Sequence, residues 1–234
     1  MAADPLRTSL EEQLTRMRGG ATLPDALLDV ELASECDLTL VKPRDWDELR
    51  HQEGAAGRSA PYWALPWPSG RALAAALQAG AEAEPDALKG QRVLELGCGL
   101  ALPSLVASRA GARVLATDGS PDAVVFAAHN LALNELEGEV ALADWRESRE
   151  LVDGAPWDLV LAADVLYLQH NVDALLRLLP RLMGDTGEAL IADPNRAGGR
   201  DFIASAKRIF DLERSSAPGH ENVNLLRLRS RSNG

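Results

Sequence analysis

The feature that most constrains this chain is the alternation, from Gln91 onward, of short apolar runs with longer stretches of helical periodicity. Arg92 to Leu96 (RVLEL), Arg113 to Thr117 (RVLAT), Glu139 to Ala143, Asp158 to Ala163 (DLVLAA) and Glu188 to Ala192 predict strands. Between them, Leu102 to Arg109, Pro121 to Asn134, Val172 to Leu182 and Asp201 to Phe210 predict helices, the first two with proline in the opening turn. Val223 to Arg229 alternates as an edge strand would. Strands that alternate with helices pair in parallel, because each crossover must return the chain to the same sheet end. The expectation is an α/β fold, a largely parallel sheet with helices on both faces.

Residues 1–60 read differently. Leu6 to Arg18 predicts a helix ended by Gly19-Gly20, Asp37 to Lys42 a strand, and Glu53 to Ser59 a turn-rich linker. This region is expected to be an N-terminal extension packed on, or looped over, a main domain spanning 61–234.

Ligands of open α/β sheets bind beyond the carboxyl ends of the strands. After the first main-domain strand comes Gly97-Cys98-Gly99, where two glycines let the backbone turn sharply. Such a turn alone is weak evidence for a ligand. Leu102 stands where a dinucleotide fingerprint needs a third small residue, and Glu95 puts a carboxylate where a diphosphate would be repelled. A cationic ligand suits that carboxylate better. Asp118 ends the next strand, where a carboxylate can accept both hydroxyls of a ribose. Its plainer alternative is a helix cap before Pro121, a task Ser120 can also perform.

Composition narrows the class. Apolar residues form 46% of the chain and charged residues 25%, a balance that supports a core without disulfides or metal. Cys36 and Cys98 are too far apart for a Cys-x-x-Cys site, and the four histidines lack ligand spacing, so no metal is expected. With 24 basic against 35 acidic residues, the net charge of -11 disfavours binding to nucleic acid. No apolar run approaches membrane-spanning length, and Met1 to Pro5 lacks the pattern of a secretory signal. The chain is expected to be cytoplasmic. Aromatics are only 4% of the residues, yet Tyr62, Trp63 and Trp67 crowd together, which suits either pocket walls or core filling.

VLELGCG followed by LATD resembles the first two nucleotide-binding motifs of the seven-strand S-adenosylmethionine methyltransferases. Ala143-Asp144-Trp145, Ala163-Asp164-Val165-Leu166-Tyr167 and the upstream Trp67-Pro68-Ser69-Gly70 resemble the signature of methyltransferase family 16, the protein lysine methyltransferases. Within it, Pro61 to Gly70 and Asp193-Pro194-Asn195-Arg196 are most similar to the branch that methylates the electron transfer flavoprotein β subunit. Asn195 stands where that branch has glycine, and Asp144-Trp145 is closer to other branches.

The resemblance implies a Rossmann-like seven-strand class I methyltransferase sheet, S-adenosylmethionine as cofactor and a protein lysine as acceptor. It implies that Gly97 and Gly99 shape the loop under the methionine part, beside Glu95, and that Asp118 holds the ribose. Trp145 would cover the adenine, Asp144 would reach its amino group, Ala163 would line the methionine end, and Trp67 with Trp63 would close the pocket. Asp164 and Tyr167 would face the acceptor as the catalytic pair. A free lysine has a pKa of about 10.4, so losing its proton at neutral pH costs roughly 4 kcal/mol. A lone Asp164 would raise that pKa, so its expected task is to capture and orient the amine. The alternatives are a small-molecule N- or O-methyltransferase on the same fold, a non-catalytic binding module and a nicotinamide dehydrogenase. Leu102 and Glu95 speak against the last of these.

Overall fold

The computed structural model describes residues 5–145, 149–217 and 219–231. The first four residues, on which the absence of a secretory pattern was partly read, lie outside them.

The six strands predicted from Gln91 onward and one more, β8, form one seven-stranded sheet: β3 (Arg92–Leu96), β4 (Arg113–Asp118), β5 (Glu139–Leu142), β6 (Leu159–Ala163), β7 (Glu188–Asp193), β8 (Phe210–Ser215) and β9 (Asn224–Ser230). Their spatial order is β5-β4-β3-β6-β7-β9-β8. The first five pair in parallel, and β9 runs antiparallel to both β7 and β8. The central strands β3, β6 and β7 are buried at nearly every position because both faces are covered. On one face Val93, Leu161, Leu190 and Ala192 pack beneath α4 (Pro68–Ala83) and α5 (Leu102–Arg109). On the other, Leu94, Leu96, Val160 and Ile191 pack under α8 (Gln169–Met183) and α9 (Ala197–Ala206). The helix α6 (Pro121–Leu133) flanks β4 and β5.

Three expectations are corrected. The Val223–Arg229 run is interior, because β8, a strand the sequence did not predict, adds outside it as the true edge. Alternation marked β9 as a strand but carried no information about its neighbour. The last helix spans Ala197–Ala206 rather than Asp201–Phe210; Phe210, buried, opens β8. Of the expected linker Glu53–Ser59, the first three residues are the end of α3 (Trp46–Ala55), where buried Glu53 receives Arg18 and Arg58, and the remainder is turn and irregular chain.

The N-terminal segment comprises α1 (Pro5–Met17), α2 (Asp25–Leu28), the hairpin β1 (Val30–Glu35) and β2 (Leu38–Pro43), and α3. The hairpin turns on Cys36 and Asp37, both at positive φ, the geometry of a tight two-residue turn. Leu10, Leu14, Leu27, Val41 and Leu49 share a core with Leu100, Val125 and Phe126. Asn130 on α6 and Asn134 just past its end, one turn apart, accept from the β2 backbone at Val41 N (2.7 Å) and Thr39 N (2.9 Å). Residues from before the glycine loop are thereby packed onto its far side.

Candidate functional site

The parallel strands end level with one another. Leu96 pairs with Thr117 and Ala162, Asp118 with Leu142, and Ala163 with Ala192. Glu95, Gly97, Gly99, Asp118, Ala163 and Asp164 therefore meet at one edge of the sheet, although they come from three strands.

The glycine loop is held from several sides. Gly97 and Gly99 have φ of +69° and +53°, which L-residues with side chains rarely adopt. A Cβ on Gly99 would lie 3.0 Å from the Trp63 carbonyl oxygen, and one on Gly97 3.2 Å from Val165 Cγ1. The loop thus runs between the Tyr62–Trp67 segment and the Asp164–Tyr167 segment. Asp118 accepts from Gly99 N at 2.9 Å through one oxygen and from Ser120 N at 2.8 Å through the other. Burial pushes its carboxyl up while those amides pull it down. Ser120 caps α6, with its hydroxyl facing Ala123 N at 3.5 Å, so Asp118 is not that helix's cap.

Glu95 is buried on the α5 side of β3. Its carboxylate accepts from Ser104 N at 3.0 Å and from the Ser104 hydroxyl at 2.5 Å. The residue before α5, Ala101, has no capping side chain, so Glu95 serves the first turn of that helix from the neighbouring strand. Burial raises its carboxyl to about 8, against the Ser104 hydrogen bonds and with Asp118 adding to the rise. Sequence reading placed Glu95 at the strand end but missed Ser104, whose spacing of nine residues carries no recognised pattern. Leu102 is buried in the first turn of α5, filling the space a dinucleotide fingerprint keeps small. Cys98 is buried, which pushes its thiol well up and leaves it a packing residue.

The aromatic residues divide. Trp63 packs on Phe126 with ring centroids 4.9 Å apart. Trp67 instead joins Trp46 and Tyr62 in a cluster with centroids 6.1–6.3 Å apart. The indole N–H groups of Trp67 and Trp46 donate to the carbonyls of Tyr62 (2.7 Å) and Pro61 (2.9 Å), fixing both rings. Beyond β5, Asp144 is exposed, while Trp145 is half-buried against the α8-side core. These two lie past the strand end that Ala143 N fixes by bonding Asp118 O at 2.9 Å.

At the end of β6, Asp164 has φ of +58°, an unusual conformation that Asp tolerates better than most residues. Its side chain is 9% exposed, and its Oδ1 accepts from Arg196 Nε at 2.6 Å. Tyr167 is 51% exposed, so it is not a buried core tyrosine. The helix α8 starts at Gln169 after Leu168, without a side-chain cap, so Asp164 does not serve it. Arg196 enters through its own loop: Asp193, almost wholly buried, accepts from Arg196 N at 2.9 Å. Among the described residues, no group of three His, Cys, Asp or Glu side chains is disposed to hold a metal ion.

Comparison with known proteins bears on the family and the fold. Residues 53–208 match the sequence model of a family described as lysine methyltransferase. The electron transfer flavoprotein beta subunit lysine methyltransferase of Danio rerio is 36% identical over 169 residues, 70% of this chain and 63% of that protein. The chain thus matches less than two thirds of that relative's length. The Homo sapiens protein of the same name is 30% identical over 82% of this chain and 68% of its own. Protein N-lysine methyltransferase METTL21A of Danio rerio is 31% identical over 62% of this chain and 70% of its own. Among solved structures, a TehB-like SAM-dependent methyltransferase from Corynebacterium glutamicum superposes with a TM-score of 0.54 at 20% identity, covering 77% of this chain and 94% of its own. A Thermus thermophilus 16S rRNA methyltransferase in complex with AdoMet and guanosine gives 0.55 at 17% identity, over 86% of this chain and 50% of its own. Likeness at these identities concerns the fold.

Proposed function

The chain belongs to the lysine methyltransferase family, and from that premise we propose that it transfers methyl groups from S-adenosylmethionine to a lysine side chain of a protein. The observation that carries the reading is the pair Asp164 and Tyr167 at the open end of β6, one strand from the glycine loop that Asp118 ties down.

The residues fit the cofactor. Asp118, tied to the glycine loop at the strand ends, suits a ligand with a ribose and a positive charge better than a diphosphate, whereas Glu95 is turned to Ser104 and serves α5. Asp118 would hold the ribose, Gly97 and Gly99 would admit the methionine part, and Ala163 would border it. Trp145 and Asp144 would receive the adenine, with Trp67 on the opposite side. When bound, S-adenosylmethionine supplies an electrophilic methyl group. The remaining work is done by this chain: Asp164 binds and orients the amine, and Tyr167 lines its approach. Alignment at about 3–3.5 Å then supplies most of the rate.

The electron transfer flavoprotein β subunit is the acceptor we propose to try first, because several of the similar relatives are named for that substrate. We place the protein in the cytoplasm; no helix among the described residues is long and apolar enough to cross a membrane. Residues 1–60 act in this scheme as an extension bracing the methyltransferase domain at 61–234.

Incubation of the purified protein with methyl-labelled S-adenosylmethionine and a bacterial lysate tests the proposal. Label on a discrete, protease-sensitive band supports it. Label confined to the small-molecule filtrate would move the function to a small-molecule N- or O-methyltransferase.

A further inference from the structure

Arg196 occupies the carboxylate assigned to the acceptor. Its Nε–H donates to Asp164 Oδ1 at 2.6 Å, while its side chain stays 41% exposed to solvent. The pair is open to solvent on the arginine side and closed on the carboxylate side, where the Asp164 side chain is 9% exposed. The loop that presents the arginine is closely built. Asp193 Oδ2 accepts from Arg196 N at 2.9 Å, Asn195 holds φ of +67°, and Asn224 Nδ2 donates to Asn195 Oδ1 at 3.3 Å. The start of α9 is pressed onto its neighbours: a Cβ on Gly198 would lie 2.2 Å from Leu166 O, and one on Gly199 2.2 Å from Asp193 Oδ2.

The groups that bear on Arg196 are few. Asp164 holds its guanidinium charged, with Asp193 and Tyr167 adding to the effect. Asp193 is a poor counter-ion, since burial and then the proximity of Asp164 push its carboxyl up against the amides bonded to it. On the same side, Arg200 reaches Asn195 O (3.4 Å), and Arg214 reaches the loop through Asn224 (2.8 Å). His170 stands in the first turn of α8, three residues beyond Tyr167.

A carboxylate alone is the wrong partner for a nucleophilic lysine, because it stabilises the ammonium. A fixed cation on the same carboxylate reverses that preference. We propose that Arg196 is a positioning residue that makes Asp164 a receptor for the neutral amine, so that the acceptor lysine sheds its proton to water before methyl transfer. Arg196 engages Oδ1, which leaves Oδ2 to accept an N–H of the neutral amine and direct its lone pair. The inference rests on the lysine methyltransferase reading above.

The test compares wild type, Arg196→Gln and Arg196→Lys on the acceptor isolated from the labelled band, measuring kcat from about pH 6.5 to 10. In kcat the rising limb reports the amine within the complex. Arg196→Gln is expected to move that limb up by about one pH unit, a roughly ten-fold loss near neutrality that alkaline pH restores. Arg196→Lys keeps a cation and should move it less. Calorimetry with S-adenosylhomocysteine should give the same affinity for all three proteins. An equal fall at every pH would make Arg196 merely structural, and an increase near neutrality would make it an obstruction; either overturns the inference alone. If wild type labels no protein, the lysine reading and this inference fall together.

Discussion

Asp118 and Gly99, nineteen residues apart, are joined by a 2.9 Å hydrogen bond from the glycine amide to the carboxylate. The acid that ends β4 therefore holds in place the turn that follows β3. The side chain proposed to hold the ribose is thus also a clamp on the loop.

Replacing that side chain should cost both tasks at once. Asp118→Ala is expected to weaken S-adenosylhomocysteine binding by about 10- to 100-fold, the loss of a charge-assisted hydrogen bond and its ordered loop. Isothermal titration calorimetry measures it directly. Unchanged affinity would remove Asp118 from the cofactor site.

Asp164 is better tested with asparagine than with alanine. At φ of +58° alanine adds backbone strain, whereas asparagine tolerates the left-handed region and removes only the charge. Asp164→Asn should bind S-adenosylhomocysteine as wild type does, with kcat on the protein acceptor lowered by about 100-fold or more. Full turnover by this variant would refute the acceptor role.

Glu95 gives a pH signature. Its ordinary value is 4.5, and burial raises it to about 8 in the folded protein. Across that window the folded protein keeps a proton that the unfolded chain has released, so stability falls as pH rises and levels off above about 8. Glu95→Gln lacks this titration yet can still accept from Ser104. Urea denaturation should show the variant gaining on wild type between about pH 5 and 8, by an amount on the order of a few kcal/mol. Asp118 and Asp193 are also shifted upward but titrate in both proteins, so they largely cancel. Parallel stability profiles would contradict the burial argument.

Arg18 holds the N-terminal helix to the rest. Its guanidinium, 11% exposed, bonds Glu53 at 2.6 Å and Asp122 at 2.8 Å, joining the end of α1 to α3 and α6. Arg58 would remain with Glu53, but Asp122 would be left buried without its partner. Arg18→Met should therefore destabilise the protein by about 3 kcal/mol, read from the urea midpoint. A change under about 0.5 kcal/mol would mean that the contact is only a surface pair.

Much of this architecture is legible without coordinates. The bounds of β3 and α5 follow directly from RVLEL and from the proline-led LPSLVASR, because periodicity and turn chemistry are local properties. Strand-end residues such as Asp118 and Asp164 are found by the same logic, since parallel strands all finish at one edge. The N-terminal segment was harder. Asn130 and Asn134 show only a one-turn spacing in sequence, and nothing local says that they face β2.

What the sequence determined by itself is the alternation of elements, the glycine turn and the set of acids that end the strands. Tertiary structure alone decided who meets whom: Glu95 with Ser104, Arg18 with Asp122, Arg196 with Asp164, and β9 inside β8. Periodicity is fixed by the few residues within one turn or pleat. A partner is chosen by strand order and by helices crossing from distant parts of the chain, and a buried charge must then find whatever donor that packing delivers.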